Sequence, residues 1–197
     1  NLAQPWCSVV MKDFDTNPDL IALRGATVNL VTGEAKEPDP ADHITKGLNF
    51  EYDAQAACPK FEQLLSTMFN QDQSLIEFTQ RLIGYSLTGY SNEKVMVFCH
   101  GPKDAGKTIL VETLAEMFGV YAAKLPTTLF TTGLRGSGEY DLIKLRGARY
   151  AFATEVEDGD KLAQARVKEI TGGDTIRGRN PYGRPITFSP THTIWLA

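Results

Sequence analysis

Gly101, Pro102, Lys103, Asp104, Ala105, Gly106, Lys107 and Thr108 fit the spacing G-x-x-x-x-G-K-[ST]. Each fixed residue type has a physical reason. Glycines let the backbone curl so that successive N–H groups point at phosphate oxygens. A helix opening at Lys107 turns the positive end of its dipole toward the anion. Lys107 is spaced to reach the β- and γ-phosphates of a nucleotide, and the Thr108 hydroxyl to ligate Mg²⁺. Gly101 through Ile109 therefore form the candidate nucleotide-binding stretch, with ATP and Mg²⁺ as the expected ligands.

Phosphate chemistry also needs an acidic group. The apolar run Tyr150–Ala153 reads as a buried strand, and Glu155 stands at its C-terminal end, the ligand side of a parallel sheet. Glu155 and Glu157 alternate, so both are expected to face one side of an extended strand end. One carboxylate would hold Mg²⁺ through water while the other orients the attacking water. The expected catalytic set is Lys107, Glu155 and Glu157, with Thr108 and Glu155 at the metal. Asp158 and Asp160 read as part of a solvated acidic loop.

A second constellation is basic. Between Lys161 and Arg184 six basic residues stand against two acidic ones, a local surplus of +4 in a chain whose net charge is −4. Arg177, Arg179 and Arg184 flank a turn of Asn180, Pro181, Tyr182 and Gly183. Arginines neutralise nucleic-acid phosphates, and an exposed tyrosine ring stacks on sugar or base. Lys168, Arg177, Arg179, Tyr182 and Arg184 are the candidate DNA contacts. The spacing fits equally well a solvated hairpin whose arginines, Arg179 and Arg184 in particular, pair with a neighbouring subunit.

The elements that must position these residues can be read from periodicity. Residues 1–47 are turn-rich and read as a β-rich connector with short strands near 20–23 and 26–31. Residues 48–91 read as a helical domain. Its first helix has Pro59 in the first turn and Phe61, Leu64, Leu65 and Met68 on one face. Its second is capped by Asp72, has Leu75, Phe78, Leu82 and Tyr85 as its core stripe, and stops at Gly89. Residues 92–197 alternate strands with helices, which implies a mostly parallel α/β sheet. The helix after Gly106 is expected to turn Ile109, Leu110, Leu114, Met117 and Phe118 inward. A later helix is expected over 160–170, with Asp160 as cap and Ala163, Val167 and Ile170 inward.

Composition narrows the class. Hydrophobic residues make up 42% and charged residues 22%, ordinary values for a globular chain. No apolar run approaches the roughly 18 residues of a membrane span. Cys7, Cys58 and Cys99 form an odd set with no CxxC pair, which indicates neither a disulfide framework nor a zinc site and suits a reducing compartment. No signal-peptide pattern opens the chain, which begins without Met and stops inside an apolar run. It is expected to be a piece of a longer protein.

Taken together these segments resemble superfamily 3 helicases, and among them the phage and plasmid primase-helicases. "CPKFEQLLSTMFN" and "LIEFTQRLIGYSLTG" look like the helical domain before the helicase core. "GPKDAGKT" resembles the Walker A loop and "ATEVEDG" the Walker B segment with Glu155 as its acid. "KEITGGDTIRGR" is similar to the B′ motif that precedes a DNA-contacting hairpin, and "FSPTHTIWLA" to the strand leading into motif C. Ala105 stands where the family usually carries Asn. The resemblance implies a P-loop core of the AAA+-like ring ATPase type, incomplete at its C-terminus. It implies a homo-hexamer that hydrolyses ATP between subunits and moves on single-stranded DNA in its channel. It also implies a primase domain upstream and a replication role in the cytoplasm of a host cell, the gene carried by a phage, plasmid or virus. The family's sensing Asn and arginine finger fall beyond Ala197, so this stretch is expected to bind nucleotide but hydrolyse it poorly. Two other readings fit a phosphate loop: a small-molecule kinase using the basic stretch as a lid, and a nucleotide-dependent assembly module without motor activity.

Overall fold

The computed structural model describes residues 13–132, 138–155 and 161–197. The chain divides into two compact units, 1–54 and 55–197. The first holds four strands, β1 (Leu20–Arg24), β2 (Ala26–Asn29), β3 (Ala35–Lys36) and β4 (Gly47–Glu51), in the order β3-β2-β1-β4. β1 and β2 form a tight antiparallel hairpin in which Leu23 pairs with Ala26. Gly25 takes φ +75° in the turn, a conformation that favours glycine. β2 stops at Asn29 because the Asn29 side chain accepts from the Val31 N–H at 2.9 Å and turns the chain. Leu20, Ile21, Val28 and Leu48 form this unit's buried patch. β4 spans the 47/48 boundary expected from the sequence.

The second unit begins with two helices, α1 (Pro59–Met68) and α2 (Gln73–Leu87). Pro59 occupies the first turn of α1 as expected. The Asp72 carboxylate caps α2 by accepting from the Leu75 N–H at 3.1 Å, satisfying one of the donors a helix start leaves free. The expected core stripe of α2 is corrected. Leu75 is 40% and Phe78 54% exposed, whereas Ile76, Thr79 and Ser86 are buried. The helix turns the neighbouring face inward because Ser86 receives the Trp195 indole N–H at 3.0 Å, and a buried indole donor needs such a partner.

Then follow β5 (Met96–Phe98), α3 (Lys107–Phe118), β6 (Ala122–Lys124), the short α4 (Glu139–Leu142), β7 (Tyr150–Ala153), α5 (Gln164–Thr171), β8 (Ile176–Gly178), β9 (Ile186–Phe188) and β10 (Thr193–Leu196). β5, β10, β7 and β6 form one parallel sheet in that order, and β8 pairs with β9 as a separate antiparallel ribbon. All residues of β7 and β10 are buried, the continuous apolar pattern of parallel strands covered on both faces. Successive side chains alternate between the faces. Ala151, Ala153, Ile194 and Leu196 pack with Ile170 and Ile176 on one side. On the other, Tyr150 stacks on Phe118 of α3 at 4.8 Å between ring centres and meets Trp195 at 5.8 Å.

Two helix expectations are corrected. α3 buries Leu110, Val111, Leu114 and Phe118, while Ile109 is 60% and Met117 39% exposed. The buried stripe keeps Leu110, Leu114 and Phe118 of the expected set and has Val111 in place of Ile109 and Met117. α5 begins at Gln164, not 160. The backbone just before it is used in pairing: Thr132 N–H donates to the Lys161 carbonyl at 2.8 Å and Ala163 N–H to the Phe130 carbonyl at 2.7 Å. Asp160, the expected cap, lies outside the described residues.

Candidate functional site

The glycine-lysine loop joins β5 to α3. Cys99 N–H donates to the Leu196 carbonyl at 2.8 Å, so the ladder holds the chain one residue past β5 before it turns. Gly106 takes φ +81° and forms the N-cap of α3 without a side-chain cap. Its carbonyl accepts the first helical bond, from Leu110 N–H at 2.9 Å. Among the described residues no side-chain cap bond is made at the start of α3, whose first-turn N–H groups are those an anion would use. Gly106 also lies against α1: a Cβ there would stand 3.4 Å from Met68 Cγ and Sδ. Close approach and positive φ thus both favour glycine at this position.

Lys107 folds back into the loop. Its Nζ donates to the carbonyls of Gly101 at 2.9 Å and Pro102 at 2.6 Å. Pro102, Lys103, Asp104, Thr108 and Ile109 are exposed, and Gly101, Ala105, Gly106 and Lys107 are partly covered. Burial pushes the neighbouring Cys99 thiol pKa up, opposed by the Lys107 charge, so the thiol stays protonated and is not a nucleophile.

Glu155 reaches the same edge of the sheet. Leu196 of β10 is in register with Phe98 of β5 on one side and Ala153 of β7 on the other. The loop and Glu155 therefore leave from matching levels of strands two apart, about 10 Å at the usual strand spacing. Glu155 is exposed and takes φ +72°. The strand has already ended at Ala153 and the backbone turns at Glu155. The expected extended alternation of Glu155 with Glu157 thus does not begin there, and Glu157 itself lies outside the described residues.

The loop and its surroundings suit a magnesium nucleotide. Free N–H groups and a lysine ammonium suit the phosphates. One hydroxyl and one carboxylate suit Mg²⁺, which takes few protein oxygens and completes its shell with water and phosphate. Among the described residues no group of three or more His, Cys, Asp or Glu could hold a metal by itself.

The basic hairpin is β8, the turn and β9. Arg177 pairs with Thr187 across it. Gly178 presses its backbone against Ile143, where a Cβ would come within 2.6 Å of the Ile143 nitrogen. This docks the hairpin on the segment that follows α4. The three arginines differ. Arg177 Nε lies 2.9 Å from one oxygen of Glu139 and Arg179 Nε 3.2 Å from the other. The Arg179 contact is an ion pair rather than a hydrogen bond, since its buried Nε has no aligned acceptor. The Arg179 guanidinium also sits 4.8 Å over the Tyr140 ring. Arg184 is exposed, and Tyr182 at the tip is fully exposed with φ +61°. Tyrosine rarely adopts that conformation. Lys168 is exposed on α5, beside the Arg166–Glu169 pair at 2.8 Å.

Sequence reading missed Glu139 and Tyr140, which lie far along the chain from the arginines they hold. It also missed His192. That ring is buried, with Nε2 3.1 Å from the Ile170 carbonyl near the end of α5. Burial lowers its pKa to about 4, against a smaller upward pull from that carbonyl. His192 ties the central strand segment to the helix that leads into the basic hairpin.

The family described as D5 N terminal like matches residues 1–70. A protein of Acanthamoeba polyphaga mimivirus, named a putative helicase, is 25% identical over 191 residues, 94% of this chain and 20% of its own length. One of Invertebrate iridescent virus 6, named likewise, is 25% identical over 176 residues, 85% of this chain and 18% of its own. One of Frog virus 3 is 26% identical over 114 residues, covering 56% and 12%. The chain thus spans at most about a fifth of the curated relatives it matches. Among solved structures, the A form apo structure of the NrS-1 C terminal region aligns with a TM-score of 0.58 at 13% identity, over 73% of this chain and 33% of that one. A second apo structure of that region aligns at 0.56 and 13% identity, over 77% and 39%. At such identity the likeness is one of fold. No described helix is long and apolar enough to cross a membrane.

Proposed function

Placing the chain in the phage and viral primase-helicase family that these matches support, we propose that it is part of an ATP-driven DNA helicase motor of a replication protein. The carrying observation is that the glycine-lysine loop and Glu155 leave the same edge of one parallel sheet, two strands apart. In this reading the stretch Gly101 to Ile109 is the P-loop of an ATPase core. Its N–H groups and the first turn of α3 receive the phosphates. Lys107 exchanges its loop carbonyls for β- and γ-phosphate oxygens. Thr108 and Glu155 hold Mg²⁺, whose charge offsets that developing on the transferred phosphoryl group. Glu155, with Glu157, orients the water, whose oxygen bonds to the γ-phosphorus as the bond to the leaving β-phosphate oxygen breaks, and whose proton passes to the carboxylate that is not on the metal.

DNA contact falls to Tyr182 and Arg184 at the hairpin tip and to Lys168, with Arg177 and Arg179 behind them. The motor is a homo-hexamer with ATP between subunits and single-stranded DNA in its channel. It works inside a host cell and has a primase domain in the longer protein. The three relatives come from viruses named for an amoeba, invertebrates and a frog, which favours a viral parent. The test is ATP turnover by the whole protein with and without single-stranded DNA. The expected result is severalfold stimulation that Arg184→Ala removes while basal turnover stays the same. Turnover indifferent to DNA in the wild type would overturn the motor assignment and favour a small-molecule phosphate acceptor.

A further inference from the structure

The ring of His192 is 5% exposed, and its two nitrogens are served unequally. Nε2 lies 3.1 Å from the Ile170 carbonyl. A carbonyl can only accept, so Nε2 carries the proton. Burial keeps the ring neutral, lowering its pKa to about 4. Nδ1 is therefore a bare lone pair, buried and without a hydrogen-bond partner among the described residues. Such an atom costs free energy until a donor reaches it.

The same ring lines a small cavity with Tyr85, Ser91, Lys94 and Thr171. The cavity offers a water centre about 10 Å³, roughly the room that one molecule needs. The hydroxyls around it have capacity left. Tyr85 Oη accepts from the Glu93 N–H at 3.2 Å and still has its own proton to give. Ser91 Oγ donates to the Pro190 carbonyl at 3.2 Å and keeps its lone pairs.

We propose that this cavity is the binding site of one ordered water, which donates to His192 Nδ1 and Ser91 Oγ and accepts from Tyr85 Oη. Three bonds are the usual complement of a buried water. Its partners stand on separate segments: Tyr85 in α2, Ser91 ahead of β5 and His192 just ahead of β10. Through Nε2 the ring also holds the carbonyl of Ile170, near the end of α5. The water keeps the ring in the one orientation that satisfies both nitrogens, because a ring turned over would give up the Ile170 bond. It thereby fixes the end of α5 against the central strand, and with it the point from which the basic hairpin starts.

The test reads the ring and the water directly. Long-range proton–nitrogen NMR spectra of the chain would follow the His192 nitrogens in the wild type, Tyr85→Phe, Ser91→Ala and Lys94→Met. Water-selective NOEs would be recorded on the ring protons, and hydrogen exchange on the Ile170 and Thr171 amides. The wild type is expected to show one tautomer, protonated at Nε2. Its Nδ1 should resonate as a hydrogen-bonded acceptor, and its ring protons should show an NOE to a long-lived water. Tyr85→Phe and Ser91→Ala remove partners on opposite sides of that water. Each should move Nδ1 toward the unbonded position and speed exchange at the two amides severalfold, while Lys94→Met changes neither. A ring protonated at Nδ1, or no water NOE, overturns the inference on the wild type alone. An Nδ1 resonance that answers only to Lys94→Met overturns it too, since the donor is then the ammonium and not a water.

Discussion

The glycine-lysine loop and the basic hairpin were equally conspicuous as spacing, but the fold treats them differently. The loop hangs between β5 and a twelve-residue helix, and the phosphate binding proposed for it would reside in the backbone. Glycine at φ +81°, uncapped N–H groups and a strand register fixed by β10 leave little for distant residues to alter. The hairpin is a two-stranded ribbon of three residues a side, and the DNA contact proposed for it would reside in side-chain charge. There a distant residue alters much, because Glu139 engages two of the three arginines. A site built from backbone shape can be read from local residue types. A site built from exposed charge depends on which partners the fold brings near.

The largest effect expected to sharpen this contrast concerns what supports the hairpin. His192 is neutral when folded, with a pKa near 4 against 6.5 for the free side chain. Between those values the unfolded chain binds the extra proton, so stability is complete above about pH 6.5 and declines as pH falls toward 4. The loss from this group is on the order of 3 kcal/mol. Thermal unfolding across that range should show a decline that His192→Gln makes shallower. Equal slopes in the two proteins would mean that His192 is not held neutral.

A smaller effect probes the charge partners. Glu139→Gln removes the carboxylate that engages Arg177 and Arg179. Their pairing is partly exposed, so little stability is at stake. Single-stranded DNA binding should strengthen roughly threefold, with a steeper salt dependence, as freed arginines meet phosphates. Unchanged affinity and slope would leave Tyr182 and Arg184 as the only contacts of this hairpin to DNA.

Most of the parallel core was legible. β7, β10 and α3 follow from apolar runs and a glycine loop, which are local signals. The register that levels Leu196 with both Phe98 and Ala153 was not, because strand order is a property of the whole sheet. The inward face of α2 was misread for a related reason. Leu75, Phe78 and Leu82 form a proper helical stripe, but the buried bond from Trp195 to Ser86 rotates the helix toward Ile76 and Thr79. A serine at a contact point gives no hydrophobic signal. The start of α5 was placed too early because pairing with residues 130–132 has no trace in the periodicity of 160–170. In the candidate site, type and spacing single out Lys107, Thr108 and Glu155, and the structure adds that the loop and Glu155 leave matching levels of strands two apart. Glu139, Tyr140 and His192 carry no such signal, since each acts on a residue far along the chain.

The most direct test of the central claim is calorimetric titration of MgATP into the chain and into its Lys107→Ala variant, with circular dichroism to show that both are folded. A lysine that answers phosphate charge in a partly covered loop should contribute about a hundredfold to affinity. The account predicts binding to the wild type and a loss of that order in the variant. Equal affinity in two folded proteins would contradict it, and the glycine-lysine loop would then be a turn with no part in holding a nucleotide.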